Sequence, residues 1–191
     1  MTVLPEWLQL SPEGITVADY EALPEDVCRR VEIVDGAVVV LPAPTRSHQR
    51  LVRRLADVLE AACGPELAVV TGADLRVQEA PLVNRRPDIV VYDAQVPDEQ
   101  VLRPADCRLV VEIMSEGSVT ADRLSKPAEY AAAGIGHYWR VEGGEGSAPR
   151  RVIRHVLDPR TQSYMVDGAD EGALRVTSPF ALTVDLRALL G

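Results

Sequence analysis

Glu112 interrupts the apolar run Leu109-Val110-Val111-Glu112-Ile113-Met114. A lone carboxylate in such a run costs several kcal/mol unless a cation or a hydrogen-bond donor answers it. Asp88 follows Pro87 and heads a second apolar run, Ile89-Val90-Val91-Tyr92. Lys126 is the only lysine in a chain with 19 arginines. Sequential strands are usually neighbours in a sheet, so the two runs can bring Asp88 and Glu112 together. Two close carboxylates do not both stay ionised without a cation. A hard divalent ion such as Mg²⁺ or Mn²⁺ resolves that conflict, because it takes oxygen ligands and keeps several waters. A bound water can attack a phosphodiester while Lys126 offsets the charge developing on phosphorus. Each residue also has an ordinary structural reading. Asp88 could cap a turn, Glu112 could pair with a core arginine, and Lys126 could pair on the surface with Asp122 four positions earlier. The conjunction says more than any member.

Other chemistries find little support. Ser115 and Ser118 lack a nucleophile elbow of the G-x-S-x-G kind. Gly143-Gly144-Glu145-Gly146 is not followed by Lys-Ser/Thr, so it is not a phosphate-binding P-loop. The three histidines lack metal-ligand spacing, and only His48, beside Gln49 at the start of a basic helix, stands apart from the other two. Its ordinary reading is a helix-end contact with solvent.

These residues need elements to hold them. Residues 16–26 suit a short helix with Thr16 as N-cap and Pro24 near its end. Arg30–Val34 and Ala37–Val40 flank Asp35-Gly36, a strong hairpin signal. From Ser47 to Ala62, Leu51, Val52, Leu55, Val58 and Leu59 follow helical spacing, and Gly64-Pro65 ends the helix. Leu67 to Val77 reads as an extended segment with a break near Gly72, and Pro81 to Pro87 as a turn region. Residues 88–92 and 108–114 read as central strands covered on both faces, joined by the polar loop 93–106. Ser125 is placed to cap a helix running to about Ala133, with Pro127 in its first turn and Gly134 closing it. Residues 137–141 return as a strand, 150–157 and 162–167 as a hairpin, and Val184 to Leu190 as a short apolar helix. The order predicts an α/β (α+β mixed) domain over 1–191, a mixed sheet with helices on its faces.

Composition sets the outer bounds. A chain of 191 residues with 47% hydrophobic and 26% charged residues is that of a single globular domain with a substantial core. The start has no basic n-region and no apolar h-region, so no signal peptide is expected. No apolar run is long enough to span a membrane. Cys28, Cys63 and Cys107 are odd in number and widely spaced, which fits buried thiols of a reducing cytosol. The net charge of −9 argues against a general nucleic-acid coating surface. The charge is uneven, however: residues 29–54 carry six arginines against Glu32 and Asp35. A solvated helix face is the plainer account of that cluster.

The ordered pattern Val31-Glu32-Ile33-Val34-Asp35-Gly36, His48-Gln49, Pro87-Asp88, Val111-Glu112-Ile113-Met114-Ser115, Asp122, Lys126, Tyr130, Gly134 and Tyr138-Trp139 resembles the bacterial Uma-two family of restriction-endonuclease-like proteins. That family is similar to the PD-(D/E)XK nuclease superfamily, and the match covers roughly residues 16–190. The resemblance implies a restriction-endonuclease-like core, a central mixed sheet flanked by helices with an N-terminal and a C-terminal hairpin, and metal-dependent cleavage of DNA. By position it implies Asp88 and Glu112 as ligands of Mg²⁺ or Mn²⁺, Glu32 as an accessory acid and Lys126 as the active-site lysine. Three departures stand out. Met114 occupies the place of the superfamily's lysine, so Lys126 on the following helix must serve. Glu116-Gly117 follows Ser115 where the family often has proline, and Pro127 directly follows Lys126.

The function expected from this reading is a cytoplasmic, metal-dependent endonuclease that hydrolyses DNA and works as a homodimer. The rival is a nuclease-fold module that binds DNA or protein without turnover, favoured by the acidic net charge, because duplex affinity rests largely on phosphate neutralisation. An acidic interaction protein with no nucleic-acid partner is a third class.

Overall fold

The computed structural model describes residues 14–114, 121–143 and 151–189. Thr16 caps α1 (Val17–Glu21) in a capping box with Asp19, and α2 (Glu25–Cys28) follows after Pro24. The single helix expected over 16–26 is therefore two, because proline cannot supply the N–H that would continue the first. Strands β1 (Val31–Val34) and β2 (Ala37–Val40) form the expected hairpin. Asp35 and Gly36 both adopt positive φ, 51° and 77°, as the tight two-residue turn requires. Next comes α3 (Arg46–Cys63), capped by Thr45, whose hydroxyl accepts from the His48 N–H.

The extended segment expected over 67–77 breaks at Gly72 into β3 (Leu67–Thr71) and β4 (Leu75–Glu79), which join different sheets. The region 81–87, expected as a turn, holds β5 (Leu82–Arg85), buried along its length. Strands β6 (Ile89–Asp93) and β7 (Cys107–Ile113) are the two central apolar runs. After a π-helical turn, Ala121–Ser125, comes α4 (Lys126–Ala132). Ser125 is part of that turn and makes no capping bond. The remaining strands are β8 (His137–Glu142), β9 (Arg151–Asp158), β10 (Ser163–Asp170), β11 (Ala173–Val176) and β12 (Leu182–Asp185). Where a C-terminal helix over 184–190 was expected, β12 pairs with β11 and a 3₁₀ turn, Leu186–Leu189, follows. Ser115, Ser118, Gly144, Glu145, Gly146 and Leu190 lie outside the described residues.

The main sheet has six strands in the order β10-β9-β8-β7-β6-β3, and β2-β1-β5-β4 form a second sheet. All pairings in the main sheet are antiparallel except β7 with β8, whose crossover contains α4. Side chains alternate across a strand, and the two faces of the main sheet have separate cores. Leu51, Leu55 and Leu59 of α3 pack on Ile89, Val91, Leu109, Val111 and Trp139. On the other face Val90, Val110 and Tyr138 pack with Tyr130 of α4 and with Ile135. A smaller core around Tyr20, Val31, Ile33 and Leu82 seats α1 on the second sheet. Burying each large aliphatic side chain contributes about 2 kcal/mol, which fixes the frame that carries the polar residues. Among the described residues no helix is long and apolar enough to cross a membrane.

Candidate active site

Asp88 and Glu112 come together through strand register. Ile89 pairs with Val111 and Val90 with Val110, so Asp88, just before β6, lies at the end of the β6–β7 pair that carries Glu112. Glu112 alternates in step with Val110, which puts it on the α4 face of the main sheet, while Asp88 immediately precedes β6. Asp88 Oδ2 accepts the Ile113 N–H at 2.7 Å. Its Oδ1 lies 2.9 Å from His48 Nε2, so His48 reaches the carboxylate from the first turn of α3. The Asp88 side chain keeps 21% of its surface exposed, enough for solvent or a ligand to reach it.

Glu112 is buried, and its cost is met by two groups on α4. Lys126 Nζ lies 3.0 Å from Oε2, and the Tyr130 hydroxyl donates to Oε1 at 2.9 Å. Lys126 and Tyr130 are four residues apart, one turn on the same helix face. Burial, with Glu112 and Glu32 beside it, holds the Tyr130 phenol well above its ordinary value, so it acts as a fixed donor. Lys126 is itself buried, not the surface partner its position after Asp122 allowed. The Asp122 side chain lies outside the described residues.

Glu32 enters from the second sheet. Its Oε1 is 3.8 Å from Lys126 Nζ and accepts the Arg86 N–H at 3.0 Å. Its Oε2 accepts from Arg85 Nη1 at 3.0 Å. Arg85 then forks onto Glu129 of α4, Nε to Oε2 at 2.7 Å and Nη2 to Oε1 at 2.5 Å. Burial pulls the Arg85 guanidinium down, but Glu129 and Glu32 more than offset it and hold it above its ordinary range. Arg86 ties its own side chain to Asp74 and to the Gly72 carbonyl. The result is a chain of alternating charges, Glu129–Arg85–Glu32–Lys126–Glu112, that connects the second sheet, α4 and the main sheet. Lys126 sits between two carboxylates.

Three of the four residues singled out by sequence, Glu32, Glu112 and Lys126, are thus gathered on one network, while Asp88 bonds to His48 and the Ile113 N–H near it. Sequence reasoning missed Arg85 and Glu129. The adjacent pair Arg85-Arg86 before Pro87-Asp88 was the available signal, since a region read as a turn gives no reason to place its arginines inside. His137 and His155 do not join the site: His137 contacts Ser178 and His155 donates to the Tyr138 carbonyl. The three cysteines are unbridged, and burial, with Asp106 adding to it, pushes the Cys107 thiol up to about 12.

Among the described residues, no three His, Cys, Asp or Glu side chains gather closely enough to enclose a metal.

The chain matches the model of the Uma2 family, described as "Putative restriction endonuclease", over residues 17–186. Among solved structures it is similar to one described as a putative nuclease belonging to DUF820 from Anabaena variabilis ATCC 29413. That likeness has 18% identity and a TM-score of 0.67, covering 92% of this chain and 97% of the other. At that identity it shows a shared fold. No curated protein matches the chain. With the family model spanning both sheets and the whole charge network, the chain belongs to the Uma2 family.

Proposed function

We propose that this protein is a divalent-metal-dependent endonuclease that hydrolyses DNA phosphodiester bonds, working in the cytoplasm as a homodimer. The observation that carries the reading is Asp88 accepting the N–H of Ile113, the residue after Glu112, with Lys126 Nζ 3.0 Å from Glu112. Asp88 and Glu112 would hold Mg²⁺ or Mn²⁺. When bound, such an ion supplies Lewis acidity and a water acidified enough to act as nucleophile. Ile113 N–H and His48 orient the Asp88 carboxylate, and Tyr130 orients Glu112. Lys126 places a fixed positive charge beside the reacting phosphate, where developing negative charge is stabilised without reorganisation. Glu32 keeps Lys126 in place, and Arg85 keeps Glu32 in place. Plasmid and oligonucleotide cleavage with Mg²⁺ or Mn²⁺, comparing wild type with Asp88→Ala, tests the proposal. Metal-dependent cutting lost in the variant is the expected result, and equal cutting by both would overturn the site.

A second reading, a nuclease fold that binds DNA or protein without turnover, draws on a specific observation. Both Glu112 oxygens already have partners in Lys126 and Tyr130. The same assay separates the readings, since this one expects no cutting with any divalent ion.

A further inference from the structure

We propose that Arg123 and Arg140 form a phosphate-binding pair beside the carboxylate centre, with Glu142 as an internal anion that a DNA phosphate displaces. The inference rests on the reading of the chain as a DNA-cleaving enzyme and names the groups that hold the backbone there.

The placement follows from register. Strands β7 and β8 are parallel, and Glu112 pairs with Arg140. Paired residues project to the same face, as Val110 and Tyr138 do in the core under α4. Glu112 and Arg140 are therefore neighbours on one face of β7 and β8, at the end of the sheet where Asp88 precedes β6. Glu142 lies two residues beyond Arg140 on the same face. Its Oε1 accepts from Arg140 Nε at 3.2 Å and lies 3.1 Å from Arg140 Nη2. The same oxygen is 3.4 Å from Arg123 Nη2, so a single carboxylate oxygen holds two guanidinium groups. Arg123 belongs to the π-helical turn Ala121–Ser125 that leads into Lys126, and such turns are frequent at functional sites. The cluster reaches solvent through Arg123, whose side chain is 50% exposed, while Glu142 and Arg140 keep 21% and 13%. Exposed Arg151 pairs with Glu142 across β8 and β9 and adds positive charge at the same end.

Guanidinium groups bind phosphate as readily as carboxylate, often through two N–H groups at once. A chain with net charge −9 has no long-range attraction for DNA, so local positive groups must supply its phosphate affinity. The N–H groups held by Glu142 Oε1 are those a phosphate oxygen would use, so carboxylate and phosphate compete for them. The competition gives opposite signs. Removing the Glu142 charge should tighten DNA binding, and removing the arginines should weaken it. An ion-pair cluster with only a structural role gives no tightening.

The test is fluorescence anisotropy of a short labelled DNA duplex with the full chain in EDTA, so that no cleavage occurs, at a series of salt concentrations. Arg123→Gln/Arg140→Gln is expected to bind about tenfold more weakly near 0.1 M salt, and to reduce the slope of log K against log salt by about two, at roughly 0.9 per lost phosphate contact. Glu142→Gln is expected to bind several-fold more tightly. Where the double variant does not fold, Arg123→Gln alone, in an exposed turn, should lose about half of the slope change. Wild-type affinity and slope in the arginine variants, no tightening in Glu142→Gln, or no duplex binding by the wild type would each overturn the proposal. The outcome is separable from that of the nuclease reading. A wild type that binds with this charge pattern but does not cut with Mn²⁺ leaves the pair standing and removes the activity. Unchanged binding and cutting in the arginine variants does the reverse.

Discussion

Arg85 Nη1 donates to Glu32 Oε2 at 3.0 Å, with the two side chains only 4% and 3% exposed, and the same guanidinium forks onto Glu129. One arginine therefore neutralises two acids and ties the second sheet to α4. Removing one member of a buried charged set leaves the others uncompensated, at a cost of about 3–5 kcal/mol. Arg85→Ala is expected to destabilise the fold by that amount in urea denaturation. Arg85→Lys should recover only part, because an ammonium lacks the planar fork. A loss below about 1 kcal/mol, the range of exposed pairs, would show that the network is not formed in solution.

Metal binding is the second expectation. Calorimetric titration of the wild type should show Mn²⁺ binding that Asp88→Asn weakens by more than the roughly tenfold seen on losing an outer-shell partner of a ligand. The Asp88→Ala/Glu112→Ala variant should show none. Equal affinity in wild type and double variant would remove both carboxylates from the metal assignment, whatever the fold.

Why some of this was legible in the sequence and some not follows from how each residue is held. Glu112 was visible because a carboxylate contradicts the apolar run around it, and Lys126 because it is the one lysine. Helix α3 was visible because eighteen residues allow its apolar spacing to repeat. Arg85 was hidden because β5 is only four residues long and lies between Pro81 and Pro87, which together read as a turn. The approach of Glu32 to Lys126 crosses from the second sheet to α4, and such contacts leave no periodic mark on either segment. At the C-terminus, Leu182–Leu189 is a short apolar run in which strand and helix cannot be told apart by spacing, and the pairing of β12 with β11 decides for strand.

Acid should weaken the fold through two histidines away from the site. Burial, and then Arg140, pulls His155 below its ordinary value of 6.5. Burial also lowers His137, against an opposing push from Asp167. In the unfolded chain both protonate near the ordinary value, so at lower pH the unfolded state binds more protons than the folded one. Their contribution is intact above pH 6.5 and is lost as pH falls through the depressed folded values. Wild-type Tm should therefore fall between about pH 7.5 and 5.5, and His155→Gln should reduce the fall. Identical pH slopes for the two proteins would rule His155 out as a source.

Assembly is the fourth expectation. Cutting both strands of a duplex calls for two sites, and a two-fold dimer supplies them. Strand β10, at the edge of the main sheet, exposes Met165 at 54% and Val166 at 66%, and is the contact element to test. Light scattering at micromolar concentration should give twice the 20.8 kDa chain mass, and Val166→Glu should shift it towards one chain. A wild-type mass of one chain would count against the dimer.

Lys126 separates the enzyme from its rivals most sharply. Its ammonium lies 3.0 Å from Glu112 and 3.8 Å from Glu32, with 9% of the side chain exposed. A compact group fits between two carboxylates there, whereas the planar guanidinium of Lys126→Arg is bulkier and directs its donors differently. The charge is retained, so both acids stay compensated and the fold should survive with a small change in Tm. Losing a correctly placed charge at a reacting phosphate typically costs on the order of a hundredfold in rate, and cleavage by Lys126→Arg should fall by about that much. Lys126→Met is a different case. With no cation between them, buried Glu112 and Glu32 repel each other, and the variant should lose stability by about 3 kcal/mol as well as activity. Lys126→Met/Glu112→Gln removes that repulsion and should recover stability without recovering cleavage. If Lys126→Arg cuts DNA at the wild-type rate, the ammonium is a structural cation alone, and the chemistry belongs to other groups.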